Sequence, residues 1–152
     1  MSSREPSCGV VRALALCYQA FEQYASEHIR TLRLTPAQFD IIATLGNTPG
    51  MNFKELGAHT LITKGTLTGV VDRLQRRGLV ERKKCDKDAR VTYVRLTPAG
   101  ERTFARVFPP HVQHMRQVFA LVPARELETL RAGLDRLRDE FQRGCAKLEE
   151  AA

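Results

Sequence analysis

The chain has 152 residues, 43% hydrophobic and 27% charged, enough apolar material for one compact domain plus a helical extension without staples. No apolar run approaches the ~20 residues of a membrane span. Met1–Val10 carries Arg4 and Glu5 and no apolar core ending in a cleavage site, so neither a membrane protein nor a signal peptide is expected, and the chain reads as cytoplasmic. The formal charge is +7.

In chain order, Val10 to Arg30 predicts an amphipathic helix, with Val10, Leu14, Cys17, Phe21 and Ala25 recurring at three- and four-residue steps. Leu34-Thr35-Pro36-Ala37-Gln38 is a helix start. Thr35 can cap, Pro36 suits the first turn, and Gln38 can close a capping box. That helix runs through Phe39, Ile42 and Leu45 and stops near Gly46-Asn47. After the Pro49-Gly50 turn, Asn52-Phe53-Lys54-Glu55 is a second capping box, opening a short helix with Phe53, Leu56 and Gly57 inward. Thr63 caps the next helix, which carries the apolar stripe Leu67, Val70, Val71 and Leu74 and ends at Arg77 with Gly78 as its stop. The period then changes. Leu79 to Arg82 and Val91 to Leu96 alternate as a β-hairpin around the charged stretch Lys84–Arg90. Thr97-Pro98 starts a helix bearing Phe104, Phe108, Val112, Met115 and Phe119, with a kink or break expected at Pro109-Pro110. A last helix from Pro123 repeats Leu127, Leu130, Leu134, Leu137, Phe141 and Leu148 in a narrow stripe, with Cys145 in its gap. That stripe reads as a seam between subunits.

The charge is segregated. Lys54–Arg106 holds 13 Lys/Arg against 6 Asp/Glu, the whole +7 excess, while the remainder balances at 11 of each. Such a block favours a polyanion footprint over a merely solvated surface. Two short helices joined by Thr60-Leu61-Ile62 and followed by a charged hairpin make a winged helix-turn-helix. The second helix suits the major groove of B-form DNA, and the hairpin suits the flanking backbone or minor groove. The expected fold class is mainly α with a small β-hairpin wing: a DNA-binding domain over 34–103 and a helical dimerisation region over 1–33 and 104–152. On the second helix, Gly65, Thr68, Gly69, Asp72 and Arg76 lie opposite the apolar stripe. Lys64 and Thr66 flank them, and Thr63 and Arg73 complete the expected DNA-facing set. The two glycines weaken the helix by about 1 kcal/mol each, which is consistent with close backbone approach to DNA. Lys87, Asp88 and Arg90 are the expected wing residues.

The run from Asp88 to Gly100 resembles the D-x-R-x-x-x-V-x-L-T-x-x-G wing signature of the MarR (multiple antibiotic resistance regulator) family. Thr66-Leu67-Thr68, Val71-Asp72-Arg73-Leu74 and Gly78-Leu79-Val80 resemble its recognition-helix segment. Leu34-Thr35 with Gln38-Phe39 resembles the start of its second helix. The resemblance implies a homodimer that binds a pseudo-palindromic operator, usually as a repressor, with Asp88 holding Arg90 for the minor groove. The position after Thr68 is often Arg in the family. Here it is Gly69, which removes one expected contact.

Such regulators often answer to small aromatic or phenolic compounds, metals or oxidants. Tyr18, Tyr24, His28 and Arg30 are candidates for an aromatic effector site, set against an ordinary core role. One branch senses peroxides through a cysteine early in the first long helix, where Cys8 and Cys17 lie without a clean match. Cys85, among Lys83, Lys84 and Lys87, has the most electropositive neighbourhood. Structural cysteines are the plainer reading, since none of the four has metal or redox spacing. His111 and His114, three apart, read as an ordinary helix-surface pair. No third metal ligand follows from the spacing, and neither a metal nor a cofactor is expected. There is no phosphate loop, nucleophile elbow or zinc motif, so no catalytic residue is assigned. A small thiol enzyme and a helical protein-interaction module are the alternatives. The second leaves the charge block unexplained.

Overall fold

The computed structural model describes residues 5–150. The ends of the expected dimerisation region, 1–4 and 151–152, lie outside the described residues. The residues up to Val112 form one compact unit and those from Gln113 another.

In the first unit, α1 spans Pro6–Thr31, with its proline in the first turn, where the missing N–H is harmless. It begins four residues before the predicted start. Of its apolar stripe only the C-terminal end is covered: Ala25, Ser26 and Ile29 are buried, whereas Val10, Leu14 and Phe21 are exposed. α2 (Pro36–Leu45) opens with the predicted capping box: Thr35 Oγ1 accepts from Gln38 N, and Gln38 Oε1 from Thr35 N. A second box opens α3 (Phe53–His59), between Asn52 and Glu55. α4 (Lys64–Arg76) follows. Thr63 stands at its N-cap position but makes no side-chain cap bond. Its hydroxyl pairs with that of Thr66 at 3.0 Å instead. Gly78, at φ +69°, ends the segment in the left-handed region that glycine tolerates.

The wing is larger than a hairpin. β2 (Val80–Lys84) and β3 (Thr92–Leu96) pair antiparallel with Val80 opposite Leu96 and Lys84 opposite Thr92. β1 (Met51–Asn52) adds a third strand on the other side of β3. Two residues carry no detectable period, so the sequence did not announce it.

α5 (Pro98–Phe119) starts at the wing root. Thr97 Oγ1 donates to Gly78 O at 2.6 Å and accepts from Gly100 N at 3.0 Å. A Cβ on Gly100 would stand 2.0 Å from the Leu79 carbonyl oxygen, so only glycine lets helix and wing root meet. The T-x-x-G end of the wing signature is thus a cap followed by a close approach. α5 continues through Pro109 and Pro110 without the expected break, although each proline leaves a carbonyl one turn back without its helical donor.

The core of this unit lies where α2, α3, α4 and the sheet converge. Ile41, Ile42, Leu45, Leu56, Val71, Leu74 and Val94 have no exposed surface. The predicted α4 stripe is buried throughout. In the second unit, α6 (Ala124–Glu150) buries none of its residues. Its stripe positions Leu130, Leu134, Phe141 and Leu148 are 42–73% exposed.

Candidate nucleic-acid interface and the adjoining cavity

Burial of Leu67, Val70, Val71 and Leu74 turns the other side of α4 outward. Thr63, Lys64, Gly65, Thr66, Thr68, Arg73 and Arg76 are exposed and Gly69 is half-buried. A Cβ on Gly65 would meet nothing, and one on Gly69 only the tip of Arg73 at 3.8 Å. Packing within the chain therefore requires neither glycine. Asp72, on the same side of the helix, is engaged within the chain. Its carboxylate is 2.5 Å from Arg82 Nη2. Arg82 also donates to Gln75 and lies over the Phe53 ring, 5.4 Å from its centroid. One β2 side chain so ties α3, α4 and the wing together. Cross-strand Glu81 and Arg95, 2.5 Å apart, brace the same sheet. Sequence reasoning missed Arg82, because nothing in its spacing distinguishes it from its basic neighbours.

At the wing tip, Asp88 Oδ1 accepts from the Arg90 backbone N–H at 3.0 Å and from Arg90 Nε at 3.2 Å. The Asp88 carbonyl accepts from Val91 N at 2.9 Å, and Val91 O accepts from Cys85 N at 2.8 Å. The backbone N–H of Arg90, and then its guanidinium, hold the Asp88 carboxyl below its ordinary pKa. The Arg90 side chain remains 92% exposed. Its charge is thus oriented from beneath and open to solvent beyond. Lys87 is exposed beside it and Cys85 is half-buried.

Next to α4 the first unit contains a cavity of about 400 Å³. α1 contributes Tyr18, Phe21, Glu22, Ala25, Ser26 and Ile29, and α2 contributes Pro36, Ala37, Phe39 and Asp40. Leu61, Ile62, Thr63 and Thr66 close it at the start of α4, and His111 closes it from α5. Asp40 Oδ2 accepts from Leu61 N at 2.7 Å. Burial pushes its carboxyl above the ordinary value against that bond. Of the four predicted effector residues, Tyr18 lines the cavity. His28 stands behind it, with its Nδ1 3.1 Å from His111 Nδ1. Tyr24 and Arg30 are not among the lining residues. His111 corrects the expectation of a surface histidine pair: it is buried, edge-on to Phe39 at 4.5 Å between centroids. Among the described residues no cluster of His, Cys, Asp and Glu is arranged to hold a metal ion. Cys8 is half-buried and Cys17 exposed, and neither forms a disulfide.

Comparison with known proteins places this geometry. Residues 34–92 match the model of the MarR family. The homoprotocatechuate degradative operon repressor of Escherichia coli is 30% identical over 118 residues, covering 78% of this chain and 80% of that protein. Among solved structures, Sco3205, a MarR family transcriptional regulator from Streptomyces coelicolor in complex with DNA, superposes with a TM-score of 0.81 at 23% identity. The alignment covers 93% of this chain and 90% of that one. NadR in complex with 4-hydroxyphenylacetate superposes with a TM-score of 0.73 at 23% identity, over 90% of this chain and 96% of that one. These relatives are transcription regulators and not enzymes. Their match in sequence and the shared winged helix-turn-helix architecture show that the chain belongs to the MarR family of DNA-binding transcriptional regulators.

Proposed function

We propose that the protein is a repressor that binds a pseudo-palindromic operator as a homodimer and releases it when a small aromatic or phenolic compound fills the cavity beside α4. The observation that carries this reading is Arg90: a fully charged side chain, pre-oriented by Asp88, beside a helix whose outward side is small, polar and basic. In this reading α4 enters the major groove. Thr63, Lys64 and Thr66 present the helix N-terminus to a phosphate, and Thr68, Arg73 and Arg76 face bases or backbone. Gly65 and Gly69 admit close approach. Lys87 and Arg90 reach the adjacent minor groove, where a narrow groove concentrates negative potential.

The dimer is supported by apolar surface that a single chain leaves in water. α1 exposes Val10 and Leu14, and α6 exposes its leucine stripe; patches of this kind mark association surfaces. Both lie in the dimerisation region, 1–33 and 104–152, flanking a DNA-binding domain over 34–103. The effector reading is supported by Thr63 and Thr66, which line the cavity and also begin α4. A compound there touches the element that would touch DNA. The relatives point the same way, one named for an aromatic degradation operon and one solved with an aromatic acid. The cavity gives a small-molecule effector more support than a thiol sensor at Cys8, Cys17 or Cys85 has.

The test is selection of a duplex from random DNA, followed by titration at increasing salt. If a dimer neutralises about 6–10 phosphates, affinity falls ~10³–10⁵-fold between 50 and 200 mM salt. Failure to select any duplex, or a flat salt response, would overturn the DNA reading. Repeating the titration with aromatic compounds tests the effector reading.

A further inference from the structure

The cavity beside α4 is charged on one side only. Its formally charged lining residues are Glu22 and Asp40. Neither a lysine nor an arginine is among the described lining residues, in a chain that carries 24 of them. Tyr18, Phe21 and Phe39 supply ring surface on the α1 and α2 walls. Glu22 follows Phe21 directly and lies one helical turn from both Tyr18 and Ser26, so carboxylate, rings and hydroxyl share one face of α1.

The positive features nearby are weaker. The N-terminus of α4 contributes at most about half a unit charge, against two carboxylates. Its first turn is partly self-satisfied, because Thr66 N and Leu67 N both bond to Thr63 O. Of the other two titratable wall residues, Tyr18 is a phenol and is never a cation, and His111 has its Nδ1 3.1 Å from His28 Nδ1. In that contact one ring nitrogen donates and the other accepts. Arg77, the guanidinium bonded to α2, is turned to Gln38 Oε1 at 3.1 Å, and neither residue lines the cavity. Asp40 has one backbone N–H, from Leu61, set against its burial; a cation brought alongside would compensate that burial directly.

We propose that the occupant of this cavity is an aromatic amine in its ammonium form, held by Glu22 and Asp40 with its ring among Tyr18, Phe21 and Phe39, and that aromatic carboxylates are disfavoured. A cation is attracted both to the carboxylates and to the faces of the rings, whereas a carboxylate is repelled by the first and gains nothing from the second. About 400 Å³ suits a ligand of one or two rings. The inference rests on the cavity being the effector site. It separates this chain from the relative solved with 4-hydroxyphenylacetate, itself a carboxylate.

The experiment compares three compounds that share one ring and differ in charge: 4-hydroxyphenylacetate, 4-(2-hydroxyethyl)phenol and 4-(2-aminoethyl)phenol. Each is titrated calorimetrically into the full-length protein at pH 7 and then into its complex with a selected operator. The expected order of affinity is amine, alcohol, acid, with at least about tenfold between amine and acid, and with the amine releasing the operator at the lowest concentration. Glu22→Gln, at an exposed position that does not threaten the fold, should reduce the amine's advantage at least about threefold and leave the neutral alcohol unchanged. Asp40→Asn, which keeps an acceptor for Leu61 N–H, should do the same. If the acid binds as tightly as the amine and releases the operator, the charge inference is overturned and the effector site stands. If none of the three binds at millimolar concentration, the effector site itself falls, and the inference with it.

Discussion

Asp72 on α4 and Arg82 on β2 stand 2.5 Å apart, and through them the second helix of the helix-turn-helix is fastened to the root of the wing. The pair is partly exposed, so its ion-pair energy alone is small. Arg82 adds the bond to Gln75 and the face of Phe53, and its stem covers apolar surface. Arg82→Ala should therefore lower unfolding stability by about 1–3 kcal/mol and weaken operator binding as the angle between helix and wing loosens. Asp72→Asn, which leaves the other two contacts, should lose less in both measurements. Urea unfolding and operator titration of the two variants check this. An Arg82→Ala protein of wild-type stability would contradict it.

Arg90→Ala should weaken operator binding by roughly 1–3 kcal/mol and leave the melting temperature nearly unchanged, because the side chain is exposed and, among the described residues, bonds to Asp88 within its own turn. Asp88→Ala should lose less, since it disturbs orientation without removing positive charge. The Asp88 carboxyl is held below its ordinary value, by the Arg90 backbone N–H first and the Arg90 guanidinium second. A folded-state pKa below the unfolded value favours the ordered wing at pH above the unfolded pKa, and that advantage fades as pH falls through the folded one. NMR titration should accordingly find Asp88 below the ordinary aspartate range. Arg90→Ala should bring it only part of the way back, since the Arg90 backbone N–H is the larger cause.

Two glycines make opposite predictions. Gly65→Ala adds a methyl that meets nothing within the chain, so helix propensity should raise stability by up to about 1 kcal/mol. If the backbone closes on DNA there, operator affinity should fall at the same time. Gly100→Ala drives a Cβ to 2.0 Å from the Leu79 carbonyl oxygen, and the wing root must shift. A loss of about 3 kcal/mol or more is expected. Thermal unfolding and gel-shift titration of both variants decide each case.

Leu134→Asp with Leu137→Asp should give a monomer, or a chain that no longer folds, if α6 forms a seam between copies. Sedimentation at micromolar concentration provides the check. A monomeric wild type would remove the dimer from the reading.

What could be read in advance was whatever local chemistry decides. Thr35 with Gln38 and Asn52 with Glu55 close their boxes within four residues, and Leu67, Val70, Val71 and Leu74 repeat often enough to give α4 its buried side. Asp88 and Arg90 are two apart and needed only a turn between them. What escaped depends on partners distant in the chain. His111 is buried because His28 and Phe39, on α1 and α2, fold against it, and no spacing on α5 announces that. Arg82 acquires its role from Phe53, Asp72 and Gln75, on two other elements. The cavity draws on α1, α2, the start of α4 and α5. Of its residues only Tyr18 was identifiable beforehand, as one aromatic residue on an amphipathic helix.

Thr63 and Thr66 belong both to the wall of the cavity and to the opening of α4. Free energy exchanged across such shared residues is reciprocal: whatever factor an occupant takes from operator affinity, the operator takes from the occupant's affinity. Protein seated on DNA would then be a poorer receptor than protein free in solution. Response to a given dose would begin in the unbound pool, and the concentration needed to clear the operator would exceed the dissociation constant measured without DNA. It would also rise with the strength of the operator, so promoters bound by the same regulator could be released in a fixed order set by their sequences alone.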